Sequence, residues 1–312
     1  MLIVGAGMAG CLAGVLNPRA TIIEAAREFK QNHDAVLRFR DDAISKQVGI
    51  PFKKVKVHKA VYSLNDGFVP LTPRLSNLYS RKVTDGKISY RSIWNMDTVE
   101  RYIAPSNFHE MLADMCGNRI EYNSQFIFDE LTRKAFHQII STIPMHKMIE
   151  ILDPLGTTFE IDSIEFKYRP IGVIRYNVPN CDVCQTVYFP EHNTNIYRAT
   201  LTGEDLLVEH ILGTKGEQEH VVDIMSDVFG IPVSHLVKHC SVYTEQKYGK
   251  IEPIDETKRK QAMWIMTKIW NIYSLGRYAT WRNILLDDVL KDIYQIRKMI
   301  NGTQYDFMKE LL

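Results

Sequence analysis

Residues 2–24 read LIVGAGMAGCLAGVLNPRATIIE: an apolar run, a glycine-rich turn, a run of small residues and a second apolar run that ends in Glu24. Short apolar runs bounded by turn residues favour β-strands, and the small-residue stretch between them favours a helix that ends at the Asn17-Pro18 turn. The order strand, helix, strand predicts a βαβ unit with parallel strands. This unit places the chain among α/β proteins.

Three glycines in the turn have the spacing G-x-G-x-x-G. Gly5 allows the tight turn, Gly7 lets a pyrophosphate approach the backbone, and Gly10 lets the helix pack on the strand. The helix N-terminus presents N–H groups and a positive dipole end to an anion. Glu24 is placed to accept hydrogen bonds from a ribose diol and would repel a 2′-phosphate. We therefore predict a site for FAD or NAD rather than NADP; the alternative is a glycine-rich turn in an ordinary parallel sheet.

The composition limits the class of protein. A chain of 312 residues and 36.1 kDa predicts two domains or one large discontinuous α/β domain. The apolar fraction of 45% and charged fraction of 24% are globular values, and no stretch approaches the roughly 18 apolar residues that cross a bilayer. Lys plus Arg number 38 against 37 for Asp plus Glu, so no overall positive field recruits nucleic acid or anionic lipid. A polyanion site would have to be local, with residues 53–59 as its footprint.

The cysteines indicate a reducing environment. An odd number of them over a long chain argues against a disulfide framework, so we expect a cytoplasmic protein. They are Cys11, Cys116, Cys181, Cys184 and Cys240. Met1 leads directly into a strand, without the basic region of a signal peptide. Cys181 and Cys184 form a single C-x-x-C in an expected hairpin turn. Zinc would need a second such pair, so we predict no metal site, with redox chemistry by the pair as a minor alternative.

Arg38 and Arg40 alternate with apolar residues in a segment that is otherwise polar. Alternation predicts a strand or extended loop with both arginines on one face. Two interpretations of Arg38 remain open. It lies near a cofactor phosphate or the edge of a cofactor ring, or it and Arg40 are a solvated pair of arginines that balances Asp41 and Asp42.

The remaining pattern predicts a sheet-rich middle of the chain flanked by helices. The expected elements are a hairpin at 53–74 around Asn65-Asp66-Gly67, a helix from Ser106 or Asn107 to Gly117, strands at 120–128 and 136–144, strands from about 159 to 208, and helices at 217–229 and 256–271. The second of the two strands is nearly all apolar, as expected of a central strand in the nucleotide-binding sheet.

Residues 273–293, YSLGRYATWRNILLDDVLKDI, form a second motif. They predict a short strand, close backbone approach at Gly276, and a helix with Asp287 as its N-cap. This is a second helix N-terminus aimed at a ligand. In a flavoprotein such a dipole end stabilises the negative charge that reduction places on the pyrimidine edge of the ring.

The two motifs together resemble a known family. GAGMAG with Glu24, the strand QIISTIP at 138–144 and above all GRYATWRNILLDDVLKDI are similar to the UDP-galactopyranose mutase and amine-oxidase (protoporphyrinogen oxidase-like) branch of FAD-dependent enzymes with the glutathione-reductase-like fold. In mutases the second motif runs from Gly-Arg through a Thr, an aromatic and a basic residue to an acid that opens a helix. The matching residues are Gly276, Arg277, Thr280, Trp281, Arg282 and Asp287.

The resemblance implies an α/β fold with a discontinuous Rossmann-type FAD-binding domain (1–52, 107–150 and 262–312) and an inserted β-sheet substrate domain (53–106 and 151–261). It implies an extended FAD whose adenine lies near the backbone of Phe126 and whose flavin lies near Arg277 and residues 286–288. The residues expected to contact FAD are Gly5, Gly7, Met8, Ala9, Gly10, Glu24, Ala25, Arg27, Arg38, Phe126, Thr142, Gly276, Arg277, Leu286 and Asp287.

The sequence also departs from the family. After Arg27 the usual acid and R-x-G-G continuation is absent, and residues 29–35 replace it, so we expect a rebuilt turn beside the flavin. Asn283 stands where mutases carry a second aromatic residue for substrate phosphate. The chain is shorter than the family's usual length, which leaves little sequence for the helical insert that grips UDP. The resemblance therefore predicts the fold of this chain but does not predict its reaction.

The expected activity is hydride transfer to FAD from a small electron-rich substrate, at a carbon that bears an amine or amino-acid-like group. Candidate substrate contacts are Tyr188, Tyr197, Arg198 and Asn283, although the two tyrosines could be sheet residues that face away. The resemblance places Arg198 where mutases hold substrate phosphate.

Other activities stay open from the sequence. They are a mutase-like flavin-dependent isomerase, a flavoenzyme that modifies an amino group on a larger molecule such as modified nucleic acid, and a binding module with FAD as a structural ligand. Because no second G-x-G-x-x-G appears, we expect molecular oxygen or a partner protein as electron acceptor.

Overall fold

The computed structural model describes residues 1–29, 36–84, 86–89, 91–152, 164–212 and 221–302. Within these ranges the helices are α1 (Met8–Leu16), α2 (Ala43–Val48), α3 (Pro73–Val83), α4 (Phe108–Cys116), α5 (Glu130–Ala135), α6 (Met145–Leu152), α7 (Val221–Phe229), α8 (Val233–Lys238), α9 (Glu256–Trp270) and α10 (Leu286–Asn301). No helix in this part of the chain is both long and apolar enough to cross a lipid bilayer.

A parallel sheet joins segments that are distant in sequence. Its order is β14 (Ile272–Ser274), β8 (Ile139–Ser141), β1 (Leu2–Val4), β2 (Thr21–Ile23) and β7 (Ile120–Glu121). Every pairing is parallel. The βαβ unit, the central position of β8 and the α/β class are thereby confirmed.

The predicted strand at 120–128 is wrong beyond its first two residues. Asn123 takes a left-handed conformation, with φ of 55°, and turns the chain back toward the end of β2. There the N–H groups of Asn123 and Ser124 donate to the carbonyls of Ala26 (2.7 Å) and Glu24 (2.9 Å). A turn in the backbone, not a longer strand, therefore closes this edge.

Alternate residues of each parallel strand pack on opposite faces of the sheet, as the pleat requires. Ile3 and Ile140 contact the core that α1, α4 and α10 cover. Leu2 and Ile139 contact the core that α6 and α9 cover. Burial on both faces explains why these strands are continuous apolar runs in the sequence.

The second sheet is larger and mixed. Its order is β13 (Cys240–Ile251), β9 (Tyr168–Asn177), β12 (Asp205–Ile211), β11 (Ile196–Thr202), β10 (Cys184–Tyr188), β4 (Lys53–Ser63), β6 (Val99–Ile103) and β3 (Arg38–Phe39), and β5 (Gly67–Val69) pairs with β4. The β4–β5 pairing confirms the predicted hairpin. The predicted helices are confirmed at 221–229 and 256–270. Residues 159–163 and 217–220, which the sequence assigns to a strand and a helix, lie outside the described residues.

The two faces of the second sheet have different coverings. One face carries Ala199 and Leu201 and packs under α7 and α8. The opposite face, here called the platform face, carries Val61 and Leu207 and is partly covered by α3. Arg38 of β3 donates hydrogen bonds to side chains of β10 and β11, although β6 and β4 lie between these strands in the sheet. The sheet must therefore curl at its β3 end. The platform face is therefore concave.

The strands of the parallel sheet all fall within the ranges expected of the FAD-binding domain. The strands of the second sheet fall within the inserted ranges, except β3, which lies in 1–52 but pairs with β6. The boundaries of the two domains stay a prediction.

Candidate cofactor and substrate site

The glycine turn has little space at two positions and open space at the third. Gly5 has φ of +97°, and a Cβ there would lie well under 3.0 Å from the hydroxyl oxygen of Thr142. A Cβ on Gly10 would lie equally close to the carbonyl oxygen of Gly5. A Cβ on Gly7 would meet no atom within 4 Å. Packing thus requires glycine at 5 and 10, whereas Gly7 leaves room beside the start of α1.

Glu24 lies at the end of β2, beside the glycine turn. Its carboxylate accepts hydrogen bonds from the N–H groups of Ala6, at 2.7 Å, and Ala26, at 2.9 Å. Each carboxylate oxygen retains a second lone pair. The acid is therefore held at the position where a ribose diol would approach.

The other residues expected at the adenosine end differ in exposure. Ala25 and Arg27 are exposed, and Phe126 is buried in the core beside Phe128. Thr142, at the end of β8, donates through its N–H (2.9 Å) and its hydroxyl (2.8 Å) to the carbonyl of Val4. That double hydrogen bond fixes the edge of the glycine turn.

The two motif helices, α1 and α10, run side by side in the same direction. Asn17 follows the last residue of α1, and its side-chain oxygen accepts a hydrogen bond from Arg297 in the last part of α10, at 3.1 Å. Val289 and Leu290 share a core with Leu12 and Ala13. Both N-termini therefore lie at the same end of the pair. There Gly276, with φ of +90°, packs so closely that a Cβ on it would be 3.1 Å from that of Ala9.

The start of α10 corrects one expectation. Asp287 is not the N-cap, because the helix begins at Leu286 after Leu285. Instead Asp288 accepts a hydrogen bond from the N–H of Leu285 at 3.0 Å and a bidentate pair from Arg40 at 2.7 and 3.2 Å. Asp287 accepts the N–H of Arg40 at 3.1 Å through one oxygen.

The second oxygen of Asp287 is buried and has no hydrogen-bond partner among the described residues. Burial raises the pKa of this carboxyl group above its ordinary value. A buried acceptor without a donor is costly in a folded protein. It marks the start of α10 as a place where a ligand hydroxyl or N–H would complete the hydrogen bonding.

Two residues near these helices make contacts that the sequence interpretation did not predict. His109 of α4 binds the carbonyl of Ala6 through Nε2 at 2.9 Å and so supports the glycine turn from behind. Arg40 ties β3 to α10. A lone histidine in an apolar helix gives no signal of such a contact, whereas the alternation of Arg38 and Arg40 did indicate an ordered segment.

The solvated interpretation of Arg38 is wrong, whereas its place near a cofactor stays a prediction. Its guanidinium donates to the hydroxyl oxygens of Thr186 (3.0 Å) and Thr200 (3.4 Å) on the platform face, and it forms no pair with Asp41 or Asp42. Burial, together with the charge of Arg198, lowers its pKa to about 10. In this structure Arg38 belongs to the second sheet, because β3 is the end strand of that sheet.

Arg198 and its neighbours form a compensated group on the platform face. Arg198 makes two hydrogen bonds to Glu209, one at 2.7 Å, and the hydroxyl of Tyr197 donates to the same carboxylate at 2.8 Å. Burial would raise the pKa of Glu209, but Arg198 holds it at about 2. Tyr197 is fully buried, and Tyr188 is half-buried against Tyr79.

A cluster of cations lies between the platform and the second motif. Lys250 of β13 places Nζ 4.1 Å from the centre of the Tyr197 ring. Arg277 and Arg91 donate to the carbonyls on either side of it, Gly249 at 3.1 Å and Ile251 at 2.5 Å. Burial and the charge of Arg198 lower the pKa of Lys250 well below its ordinary value. The sequence interpretation missed Lys250 and Arg91, because no local pattern distinguishes them from surface cations.

Asn283 is placed apart from the other candidate substrate contacts. It lines a cavity of about 190 Å³ together with Arg91, Arg259 and Arg282. The lining of this cavity includes none of Tyr188, Tyr197 and Arg198. Arg91 connects the two places, because it lines the cavity and also binds β13.

Cys181 and Cys184 do not lie in a hairpin turn, which corrects that expectation. They connect β9 to β10, and those strands are separated in the sheet by β12 and β11. Both thiols are unoxidised and half-buried. Among the described residues, no group of three His, Cys, Asp or Glu side chains is arranged to hold a metal ion.

The residues present fit an extended dinucleotide. The space beside Gly7 and the N–H groups at the start of α1 suit a pyrophosphate, Glu24 suits a ribose, and the unpartnered oxygen of Asp287 suits a donor on the ring half of the cofactor. Arg277 lies next to Gly276 and keeps a buried Nε–H without a partner in the described part of the chain.

Comparisons with known proteins agree with this architecture. No protein-family model and no curated protein matches the sequence. Among solved structures, the chain is similar to a reduced UDP-galactopyranose mutase, with a TM-score of 0.65, 14% identity and coverage of 98% of this chain and 94% of that one.

Two further structures have the same arrangement. A fatty acid isomerase from P. acnes that produces CLA has a TM-score of 0.61 at 11% identity, covering 96% of this chain and 97% of that one. Putrescine oxidase bound to putrescine has a TM-score of 0.57 at 8% identity, covering 96% and 98%. Over nearly its whole length, the chain therefore has the fold of this group of proteins, as the resemblance in its two motifs predicted.

Proposed function

We propose that this protein is an FAD-dependent oxidoreductase that takes a hydride from a carbon bearing an amino group. The observation that carries the proposal is the parallel packing of α1 and α10, which places both helix N-termini, the space beside Gly7 and the unpartnered Asp287 oxygen at one end. Structures with this fold include an oxidase bound to an amine, putrescine.

FAD, when bound, supplies the two-electron chemistry, and the protein binds and orients it. The glycine turn and Glu24 would hold the adenosine half, and Gly276, Arg277 and residues 286–288 the flavin half. The substrate carbon loses a hydride while its nitrogen loses a proton, which leaves a C=N bond that water hydrolyses. Molecular oxygen, giving hydrogen peroxide, or a partner protein would receive the two electrons.

The charges on the platform limit which classes of substrate can bind there. An alkyl diamine would need a carboxylate to bind its ammonium group, but Glu209 is already compensated by Arg198. The surrounding side chains of Arg38 and Arg277 are cationic and would repel it. An amino group on a molecule that also carries negative charge, as an amino acid does, suits this surface better.

A second candidate is a mutase-like isomerase. The similarity to UDP-galactopyranose mutase and the position of Arg198 favour it. Asn283 weighs against it, because it stands where mutases have an aromatic residue.

The test begins with the absorbance spectrum of purified protein and mass spectrometry of the released cofactor, which should be FAD. Anaerobic addition of amines and amino acids should then bleach the flavin absorbance with the right substrate. The N-acetylated form of that substrate, which cannot form the imine, is the control. Protein that holds FAD, stays oxidised with every amine and converts UDP-galactopyranose under dithionite would favour the isomerase.

A further inference from the structure

Lys250 lies on the platform face without a polar partner for its side chain. Its Nζ is 4.1 Å from the centre of the ring of Tyr197, which belongs to the core under α3. Within the described ranges the side chain of Lys250 makes no hydrogen bond and no ion pair. The residue is half-buried rather than fully buried, so its side chain is still in contact with solvent. A small molecule can therefore reach it.

Another lysine of the same sheet region shows what a buried ammonium group requires. Lys82 of α3 is 5% exposed and donates to three backbone carbonyls, those of Phe189 (2.9 Å), Glu191 (2.7 Å) and Ile196. Three acceptors match the three N–H donors of an ammonium group. Lys250 has no such acceptor among the described residues, and the face of an aromatic ring attracts a cation only weakly. The surroundings of Lys250 are thus poorly suited to an ammonium group.

Three arginines lie around Lys250. Arg277 and Arg91 donate to the carbonyls of the residues before and after it in β13. The guanidinium carbon of Arg198 is 6.0 Å from the centre of the same tyrosine ring. Glu209 is also within electrostatic range, but its carboxylate already accepts the hydrogen bonds of Arg198 and the tyrosine hydroxyl. The main charges that act on Lys250 are therefore those of three guanidinium groups and one carboxylate.

These surroundings favour the neutral amine. Burial lowers the pKa of Lys250 well below its ordinary value, the three arginines lower it further, and Glu209 opposes them. A neutral amine has a free lone pair and is a nucleophile, whereas an ammonium group is not. Lysines that are desolvated or lie next to other cations are the ones that proteins use to form Schiff bases with carbonyl compounds. Lys250 has both features.

Packing alone does not require a lysine at position 250. A methionine would cover the ring of Tyr197 without an amine to remove from water. A titratable group that its surroundings perturb strongly, and that lies on a concave surface, is a candidate for a functional role. The chemistry of the amine, rather than its contacts, therefore accounts best for this residue.

We propose that Lys250 is the nucleophile of a reactive site on the platform face, where its amine condenses with the carbonyl group of an aldehyde or ketone. The amine nitrogen bonds to the carbonyl carbon, and a C=N bond remains. The carbonyl oxygen leaves as water with the two protons of the amine, so no oxidant or reductant is needed. This activity goes beyond the proposed oxidation, because it acts through a protein side chain and not through FAD.

The test traps the C=N bond. The purified protein is treated with propanal and sodium cyanoborohydride at neutral pH, and the alkylated lysines are quantified over time by mass spectrometry of peptides. Lys53, which is exposed on β4 of the same sheet, is the internal control. We expect Lys250 to react about tenfold faster than Lys53, since each unit by which a pKa is lower raises the neutral fraction about tenfold.

The pH dependence of alkylation is the second readout. The charged and titratable groups that face Lys250 are Arg198, Glu209, Arg277, Arg91, Tyr197 and its register partner on β9, Arg169. Between about pH 6 and pH 9 the arginines and Glu209 stay charged and the tyrosine stays neutral, so the amine itself governs the profile. The rate for Lys53 should rise throughout this range, whereas the rate for Lys250 should level off within it.

A variant tests the role of the neighbouring charge. Arg91→Gln removes a guanidinium beside Lys250 and should slow its alkylation several-fold at neutral pH. Arg74→Gln, at an exposed position on α3, is the matched control and should leave the rate unchanged. Lys250→Met identifies the alkylated peptide by its loss. The pH profile of the unmodified sequence decides the question even if Arg91→Gln does not fold.

Two results would overturn the inference: alkylation of Lys250 no faster than that of Lys53, or a rate that keeps rising with pH in parallel with Lys53. The proposed function fails by a different observation, because trapping requires no reduction of the flavin. Protein that holds no FAD, or whose FAD no amine bleaches, would contradict the oxidation and leave the result for Lys250 standing.

Discussion

The glycine turn and the platform face lie on different sheets and are built in opposite ways. The turn comes from six consecutive residues whose backbone sterics dictate glycine at two positions. The platform face comes from distant strands, and its contacts between Arg38 and Thr186 and between Arg198 and Glu209 exist only because the second sheet pairs and curls as it does. The first is a local backbone device, and the second is an electrostatic surface made by tertiary structure. The difference predicts that substitutions in the turn act through backbone packing and the space beside it, whereas substitutions on the platform act through charge.

The largest effect is expected for Gly10→Ala. Its Cβ would overlap the carbonyl oxygen of Gly5, which is backbone and cannot yield without shifting the βαβ unit. We expect a loss of about 3 kcal/mol in the free energy of unfolding. Urea unfolding measures it, with Gly7→Ala as control, since that Cβ meets nothing. Equal stability of the two variants would show that the turn is not packed as described.

The next effect is expected on the platform, for Glu209→Gln. The substitution leaves Arg198 half-buried without its counter-charge, which should cost about 2 kcal/mol at neutral pH after allowance for the partial exposure of Arg198. Chemical unfolding of both proteins at several pH values is the measurement.

The pH dependence of this difference has a defined sign. The folded pKa of Glu209, about 2, lies below its ordinary 4.5. The carboxylate therefore stabilises the fold above pH 4.5, and this contribution is lost as the pH falls from 4.5 toward 2. The gap between wild type and Glu209→Gln should close over that window. A gap that stays constant with pH would contradict the ion pair.

A smaller effect, on the affinity for FAD and not on stability, is expected for Gly7→Val. A Cβ at this position meets no atom within 4 Å, so the side chain would extend into the space beside the start of α1, and the fold should persist while FAD affinity falls about tenfold. Fluorescence titration of FAD into cofactor-free protein tests this, with Gln47→Val on exposed α2 as control. Unchanged FAD affinity would place the pyrophosphate elsewhere.

The smallest effect is expected for Arg40→Gln, which removes the bidentate pair to Asp288 that links the end of β3 to α10. Because Arg40 is 46% exposed, solvent screens the pair, and we expect about 0.5 kcal/mol of lost stability. Thermal unfolding should detect this loss of stability. The control is Lys46→Gln, which breaks the exposed ion pair between Lys46 and Asp42 at helix α2. An effect as large as that of Glu209→Gln would mean that the fold depends on this link between β3 and α10.

The sequence predicts the parallel sheet well because each part of it is decided by neighbouring residues. Gly5, Gly7 and Gly10 follow a strand and open a helix, and 138–144 is apolar on both faces because both are buried. The second motif was also assigned correctly to a strand and a helix. Its N-cap was not, because Asp288 rather than Asp287 turns back to the N–H of Leu285.

The platform was predictable as a set of strands but not as a surface. Nothing local reveals that β3 joins the second sheet, so Arg38 could not be assigned to Thr186 and Thr200. Lys250 and Arg91 become distinctive only when folding brings them beside Arg277. Connections between non-adjacent strands, such as that through Cys181 and Cys184, likewise depend on sheet order, which periodicity does not contain.

The side-by-side packing of α1 and α10 has a consequence for biosynthesis. The two helices are separated by some of the longest sequence distances in the fold, yet the apolar side of α1 is completed by Val289, Leu290 and Ile293. On the ribosome, α1 emerges long before its companion, so its apolar side remains uncovered until α10 has been made. A nascent chain would therefore become competent to capture its cofactor only late in translation, and chaperones would have the intervening time to act on it.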